Sequence, residues 1–333
     1  MLLNYILKRV FQMIPMVIAV SALIFFIIKL PPGDFLTTYI QQLELSGVQA
    51  DQSTVMNLRR QYGLDKSDVE QYFIWVKNIV TKGDFGRSMQ WSQPVSELIA
   101  ERIGWTMVIS FLILIVSYLV AIPVGIYAAT HKYSVGDYIV TFIGFIGMAV
   151  PGFLLALVLV YLIFVNTGEV FVGLFSSEFL NVPWSAARFL NMLPRLGLVV
   201  GIIGLTNTAG TIRTMRAMTL DELEKQYVIT ARSKGLDENK MLMKYPIRMA
   251  INPICSTIGW ALPGIISGEV VVSIVMNMPT IGPMLRRAFM VQDMYLAGSM
   301  MLFISVMTVV GTLLSDILLA IIDPRIRFGG VTE

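Results

Sequence analysis

IGWTMVISFLILIVSYLVAIPVGIYAAT, residues 103–130, runs for 28 positions without an Asp, Glu, Lys or Arg. About 20 helical residues cross the ~30 Å hydrocarbon core of a bilayer, and a charge at mid-membrane costs roughly 2.5 to 3.5 kcal/mol. The stretch is therefore read as a membrane span. Five more stretches follow the same rule: 10–28, 138–168, 196–212, 249–268 continuing past Glu269, and 294–315 continuing past Asp316. The fourth is the weakest. Its Gly201, Gly204, Thr206, Asn207, Thr208, Gly210 and Thr211 are too small and polar to face lipid throughout, so that helix is expected to pack among others or to line a path.

The whole chain agrees with its spans. It has 333 residues, 56% of them hydrophobic and only 14% charged, with a mean hydropathy of +0.72, whereas a soluble domain carries roughly 25% charged residues. A net charge of +3 gives no footing for nucleic acid. With one cysteine, Cys255, and one histidine, His131, no internal disulfide and no Cys/His metal cage can form. Lys8 and Arg9 before an apolar run, with Val20-Ser21-Ala22 behind it, would suit a signal peptide, yet the run continues through Ile28 and is expected to remain a helix.

Six spans put both termini on one side. That side holds Lys8, Arg9, Lys132, Arg213, Arg216, Lys225, Arg232, Lys234, Lys240, Lys244, Arg248, Arg325 and Arg327, against Arg188, Arg195, Arg286 and Arg287 in the short loops opposite. Thirteen against four assigns the termini to the cytoplasm. The chain then divides into 1–30 with the first span, a helical extracytoplasmic cap over 31–102, and a five-helix core over 103–333 with a cytoplasmic loop at 213–248.

In the cap, Ser67 with Glu70 forms a capping box, Val69, Tyr72, Phe73, Val76 and Val80 repeat at helical spacing, and Lys82-Gly83 ends the helix. Its apolar face serves either as a docking surface or as a lid on the span ends. In the cytoplasmic loop, Thr219 with Glu222 makes a second capping box, Leu220, Leu223 and Tyr227 share a face, and Gly235 is the natural stop. A short helix capped by Asp237 then runs until Pro246. This helix, glycine turn, helix protrusion fits either an anionic lipid surface or a socket on a cytosolic protein.

Catalytic signatures are missing. There is no G-x-x-x-x-G-K-[ST], H-E-x-x-H or G-x-S-x-G, so any ATP must be bound by a partner. Two acids lie inside apolar stretches, where ionisable groups default to functional hypotheses. Asp316 is expected to pair with an Arg or Lys near the cytoplasmic end. Glu269 follows Pro263-Gly264 and Gly268, and serves either a pathway or a structural hydrogen bond.

The run Tyr227-Val228-Ile229-Thr230-Ala231-Arg232-Ser233-Lys234-Gly235-Leu236, with Arg248 and Asn252-Pro253, resembles the coupling loop of permeases in the peptide and nickel family of ABC importers. Tyr5-Ile6-Leu7-Lys8-Arg9, Pro32-Gly33-Asp34, Leu58-Arg59-Arg60-Gln61-Tyr62-Gly63-Leu64-Asp65, Gly83-Asp84-Phe85-Gly86-Arg87-Ser88 and Asp323-Pro324-Arg325-Ile326-Arg327 extend the resemblance over nearly the whole chain. It implies an all-α type I ABC importer permease in a bacterial or archaeal cytoplasmic membrane. It further implies a second permease, two cytosolic ATPases that bind ATP and Mg, an extracytoplasmic substrate-binding protein, and no cofactor in this chain. Tyr227, Ala231, Arg232, Lys234, Gly235 and Leu236 would form the ATPase contact. Glu269, Ser273 and Asn207 are the candidates for the solute path.

There are departures. The broader importer motif has Glu-Ala-Ala before the glycine, where this chain has Ile229-Thr230-Ala231, so only Ala231 and Gly235 carry over directly. Peptide-transporting relatives usually place a glutamate and a tryptophan near the outer end of the fifth span, followed by Pro-Gly; here stand Ser273 and Met278-Pro279-Thr280. Glu269, four residues earlier on the same helix face, puts an acid one turn away. Peptides are the first expectation and oligosaccharides the second; a proton-coupled carrier using Glu269 and Asp316 is the alternative of another class.

The charge bias makes a direct prediction for a variant lacking Cys255. A cysteine placed at Asp84 should react with an impermeant thiol reagent in intact cells, and one at Gly235 only after lysis. The reverse labelling would overturn the orientation.

Overall fold

The computed structural model describes residues 2–30 and 64–322, together with 36, 40, 56, 57 and 60. Pro32-Gly33-Asp34, Gln61-Tyr62-Gly63 and Asp323-Pro324-Arg325-Ile326-Arg327 lie outside the described residues. In lipid a backbone must satisfy its own hydrogen bonds, and the described chain is almost wholly helical. In order come α1 (Leu2–Ile28), α2 (Asp68–Lys82), α3 (Val95–Thr130), α4 (Val135–Ala149), α5 (Gly152–Thr167), α6 (Ala186–Leu223), α7 (Gln226–Ser233), α8 (Glu238–Lys244), α9 (Pro246–Val275), α10 (Ile281–Met290) and α11 (Met294–Ile322).

Among the described residues, α1, α3, α6 and α11 are long and apolar enough to cross a membrane, and α4 with α5 makes a fifth candidate. The 249–268 stretch falls within α9, 30 residues long, whose described apolar part is Gly264–Val275. The third stretch departs from the expected single helix: α4 and α5 meet at 101°. Pro151 is the cause. It disfavours a helical conformation at the residue before it, and Val150 accordingly sits at φ −93°, ψ 120°. At a rise of 1.5 Å per residue the 38 residues of α6 extend about 57 Å, so its end projects past the hydrocarbon core.

The helices gather into two compact units, Met1–Arg9 with Met107–Pro279 and Val310–Glu333, and Val10–Thr106 with Thr280–Val309. In the first, α6 packs along α4 and α9. Met215 of α6 and Ile247, Ala250 and Ile254 of α9 form a buried cluster against Tyr118, Ile122 and Ile126 of α3. Asp316 is paired as expected, with Arg9 at 3.2 Å.

In the second unit, the Ser67 hydroxyl accepts from Glu70 N–H and Gly83, at φ +64°, closes α2, matching the capping signals. The packed face differs from the expected one. Tyr72 and Trp75 are buried with Phe25 and Leu302, with Val76 and Ile79 beside them, while Val69, Phe73 and Val80 are exposed. The positions 72, 75, 76 and 79 make the narrower apolar stripe of a 3.6-residue repeat. Lys29 reinforces this seat by bonding Asp68 and Gln71. The helix thus acts as a lid on its own unit, with a second apolar face left open.

Gly83-Asp84-Phe85-Gly86-Arg87-Ser88 has a structural purpose here. Gly86 lies at φ +91°, and a Cβ there would stand 2.8 Å from the Tyr295 ring, so only glycine lets the loop approach so closely. The loop delivers Ser88, whose hydroxyl donates to Asp293 Oδ2 at 2.5 Å; Gln90 N–H donates to the same oxygen at 3.1 Å and Leu296 N–H to Oδ1 at 3.3 Å. Asp293 is fully buried and caps α11. Burial pushes its carboxyl above the usual range, against the pull of these hydrogen bonds.

Asp293→Ala would strand these buried donors and should destabilise the protein by about 3 kcal/mol, with Asp293→Asn costing less because one acceptor survives. Thermal unfolding in detergent measures both; equal stability of the Ala variant would show that the loop does not depend on this carboxylate.

Candidate functional site

The loop after α6 folds into a hairpin with its own core. Thr219 does not cap a new helix: it lies fully buried inside α6, which continues to Leu223 because Met215 and Met218 go on packing against α9. The local capping signal loses to tertiary packing. α7 begins instead after Lys225, and Val228, Ala231 and Met241 bury one another with Leu236, Leu242 and Tyr245 around them.

The turn between α7 and α8 is a Schellman motif. Gly235 N–H donates to Arg232 O at 3.0 Å and Leu236 N–H to Ala231 O at 3.5 Å, while Leu236 packs in the same cluster as Ala231. Gly235 supplies the left-handed residue this requires, at φ +76°. Arg232 grips Glu238 across the turn by two hydrogen bonds, at 2.6 and 3.2 Å. Glu238 thereby holds the guanidinium pKa up. Both side chains are 53% exposed, so water screens the pair and its contribution is to geometry. Asp237 caps α8 as expected, accepting from Lys240 N–H, and Pro246 opens α9. Tyr227 donates its hydroxyl to Glu222, and burial together with that carboxylate pushes the phenol up to about 12.

Sequence reasoning named Tyr227, Ala231, Arg232, Lys234, Gly235 and Leu236 as the contact here; it placed Val228 in the same run and Met241 and Leu242 on the second short helix without assigning the three to a shared core. The signal was present in the three-residue spacing of Val228 and Ala231. Leu242 matters most, because it touches both the hairpin core and the α3, α6 and α9 cluster. The hairpin core is thereby continuous, through packed side chains, with three long helices.

The three path candidates separate. Glu269 is 2% exposed and its Oε2 accepts from Ser110 Oγ of α3 at 2.9 Å. Ser273, one turn on, is fully buried and donates to Val270 O at 2.9 Å. Both are buried, and the Ser110 bond ties Glu269 within its own unit. Asn207 is half-buried and bonds within α6, to Ile203 O at 2.9 Å. Among the described residues of α9, Arg248, Met249 and Pro253 in its first turns and Gly264, Gly268 and Val271 further along are exposed. A missed charged site joins α4 to α6: Arg216 donates from Nε and Nη2 to the two oxygens of buried Asp137, each at 2.7 Å.

Residues 121–328 match the family described as binding-protein-dependent transport system inner membrane component, and residues 2–110 match its N-terminal companion. The oligopeptide transport system permease protein AppB of Bacillus subtilis is 34% identical over 97% of this chain and 99% of its own length. A putative peptide transport system permease protein of Brucella melitensis is 33% identical over 98% and 100% of the two chains. The oligopeptide transport system permease protein OppB of Haemophilus influenzae is 28% identical over 98% and 100%.

The Glu269–Ser110 hydrogen bond is buried and joins α9 to α3. Glu269→Ala leaves the Ser110 hydroxyl without its acceptor and should lower stability by about 1 to 3 kcal/mol, while the transporters that still assemble keep their solute preference. Uptake of competing solutes, measured beside complex yield, checks this; altered preference at full yield would return Glu269 to the path.

Proposed function

This chain belongs to the binding-protein-dependent transport system inner membrane components, and from that premise we propose how it works. It is a multi-pass permease of the cytoplasmic membrane, a transport subunit and not itself an enzyme, in an ABC importer whose solutes are peptides. Six spans, with α9 as one of them and both termini inside, pair with a second permease to form the path. Two cytosolic ATPases receive the α7–α8 hairpin, and an external binding protein delivers the peptide.

The observation that carries this reading is the self-packed hairpin and its Leu242 link to the long helices. A coupling element must be stiff on its own and continuous with what it moves. Here the Schellman turn and the Val228, Ala231 and Met241 core supply stiffness, and Leu242 supplies continuity. The peptide preference rests on the relatives, which are named as oligopeptide and peptide permeases. A proton-coupled carrier is disfavoured by its own two acids: Asp316 is neutralised by Arg9, and Glu269 is held by Ser110.

Reconstitution with the partner subunits provides the test. Labelled oligopeptide should accumulate in vesicles only when binding protein and ATP are both supplied on their proper sides, and labelled oligosaccharide should not. Gly235→Val forces a β-branched residue into a left-handed conformation at a cost of about 1 to 2 kcal/mol, and Ala231→Trp overfills the hairpin core. Each should leave the complex assembled but abolish peptide-stimulated ATP hydrolysis. Uptake driven by a proton gradient alone, or normal transport by both variants, would overturn the proposal.

A further inference from the structure

A groove of about 320 Å3 runs between α4 and α6, beside the Asp137–Arg216 pair. Its apolar length follows α4 from Val140 to Met148. At helical rise that is about 12 Å, most of one leaflet's half of a ~30 Å core. Gly144 leaves the floor open, since a Cβ there would meet nothing within 4 Å. One end is cationic. Arg216 is fixed in place by its two bonds to Asp137, which nearly cancel its charge. Arg213, three residues earlier, is exposed and has no carboxylate partner among the described residues, so it leaves one positive charge at the mouth.

We infer that this groove binds an anionic phospholipid, with the phosphate at Arg213, beside the Asp137–Arg216 pair, and an acyl chain along Val140 to Met148. An apolar channel of leaflet depth with a single cationic end complements an amphiphile with one anionic end. A guanidinium offers planar paired donors that fit phosphate oxygens. Basic pockets between spanning helices at the cytoplasmic side, where the proposed topology puts Arg213, recognise acidic headgroups. A zwitterionic lipid could fill the channel but would leave the Arg213 charge uncompensated. The inference does not depend on which solute is transported.

The assembled complex, exchanged into nanodiscs of mixed phosphatidylglycerol and phosphatidylcholine, is the material for the test, and native mass spectrometry reads the lipids it retains. Phosphatidylglycerol should be retained in preference to phosphatidylcholine, and inorganic phosphate should not displace it. Arg213→Gln should reduce that preference about fivefold, the effect of one surface arginine on an acidic lipid. Gly144→Leu fills the floor and should expel both lipids although Arg213 is intact. Should that variant assemble poorly, Ala217→Met, at an exposed position of the same lining, makes the equivalent obstruction. Equal retention of the two lipids by the unmodified complex, or full retention after obstruction, refutes the site. So does quantitative crosslinking of a cysteine at 144 to the second permease, which would make the groove a seam between subunits.

Discussion

The bilayer gives no hydrogen bonds to a chain that crosses it, and the other features of this molecule follow from that constraint. It makes the chain helical, and it makes every ionisable group within the apolar stretches a matter for local compensation. Asp316 meets Arg9, Asp137 meets Arg216, and Glu269 meets the Ser110 hydroxyl. The first two pairs stand at helix ends, where a guanidinium can reach toward water and the penalty of desolvation falls. Glu269 has no such relief. Its hydrogen bond to Ser110 ties α9 to α3 within one unit.

The same constraint explains where irregular backbone occurs. Proline within α1, α3 and α6 is accommodated without ending these helices. Pro151 acts otherwise, because Val150 before it adopts an extended conformation and the chain turns through 101°. The second interruption lies in water, where Gly235 turns α7 into α8. There the freed backbone groups close on one another through the Schellman bonds, so the turn is stiff. A stiff turn standing on a packed core can transmit a push; a pliable one would absorb it.

Much of this was legible in the residues. Charge-free stretches located the long apolar helices α1, α3, α6 and α11 and the bent α4–α5 pair, while Ser67 and Asp237 announced two helix starts and Gly235 a stop, because these capping signals act through hydrogen bonds a few residues long. The capping box at Thr219 misled for the opposite reason: packing of Met215 and Met218 against α9, separated by some thirty residues in the chain, decides whether α6 continues. The lid helix shows the same limit. Its sequence offers two overlapping apolar faces, and only the position of Phe25 and Leu302 selects the one bearing Tyr72 and Trp75. Asp293 escaped sequence reading altogether, since its partners Ser88 and Gln90 come from about 200 residues away and leave no local pattern.

Burial in the single chain also bears on where a solute would pass. Glu269 and Ser273 are buried within the single chain, so under the proposed pairing with a second permease neither would stand on a surface that the subunit alone leaves uncovered. The uncovered side of α9 carries Gly264 and Gly268, and that of α6 carries Gly197 and Gly201, at each of which a Cβ would meet nothing within 4 Å. Glycines four apart let a neighbouring helix come close or leave room beside the backbone, and they present no side chain that would select one solute over another. An importer of oligopeptides has reason to be built this way. Under the proposed function its solutes would share a backbone and differ in every side chain, and a stretch of path lined by these glycines would not discriminate among them.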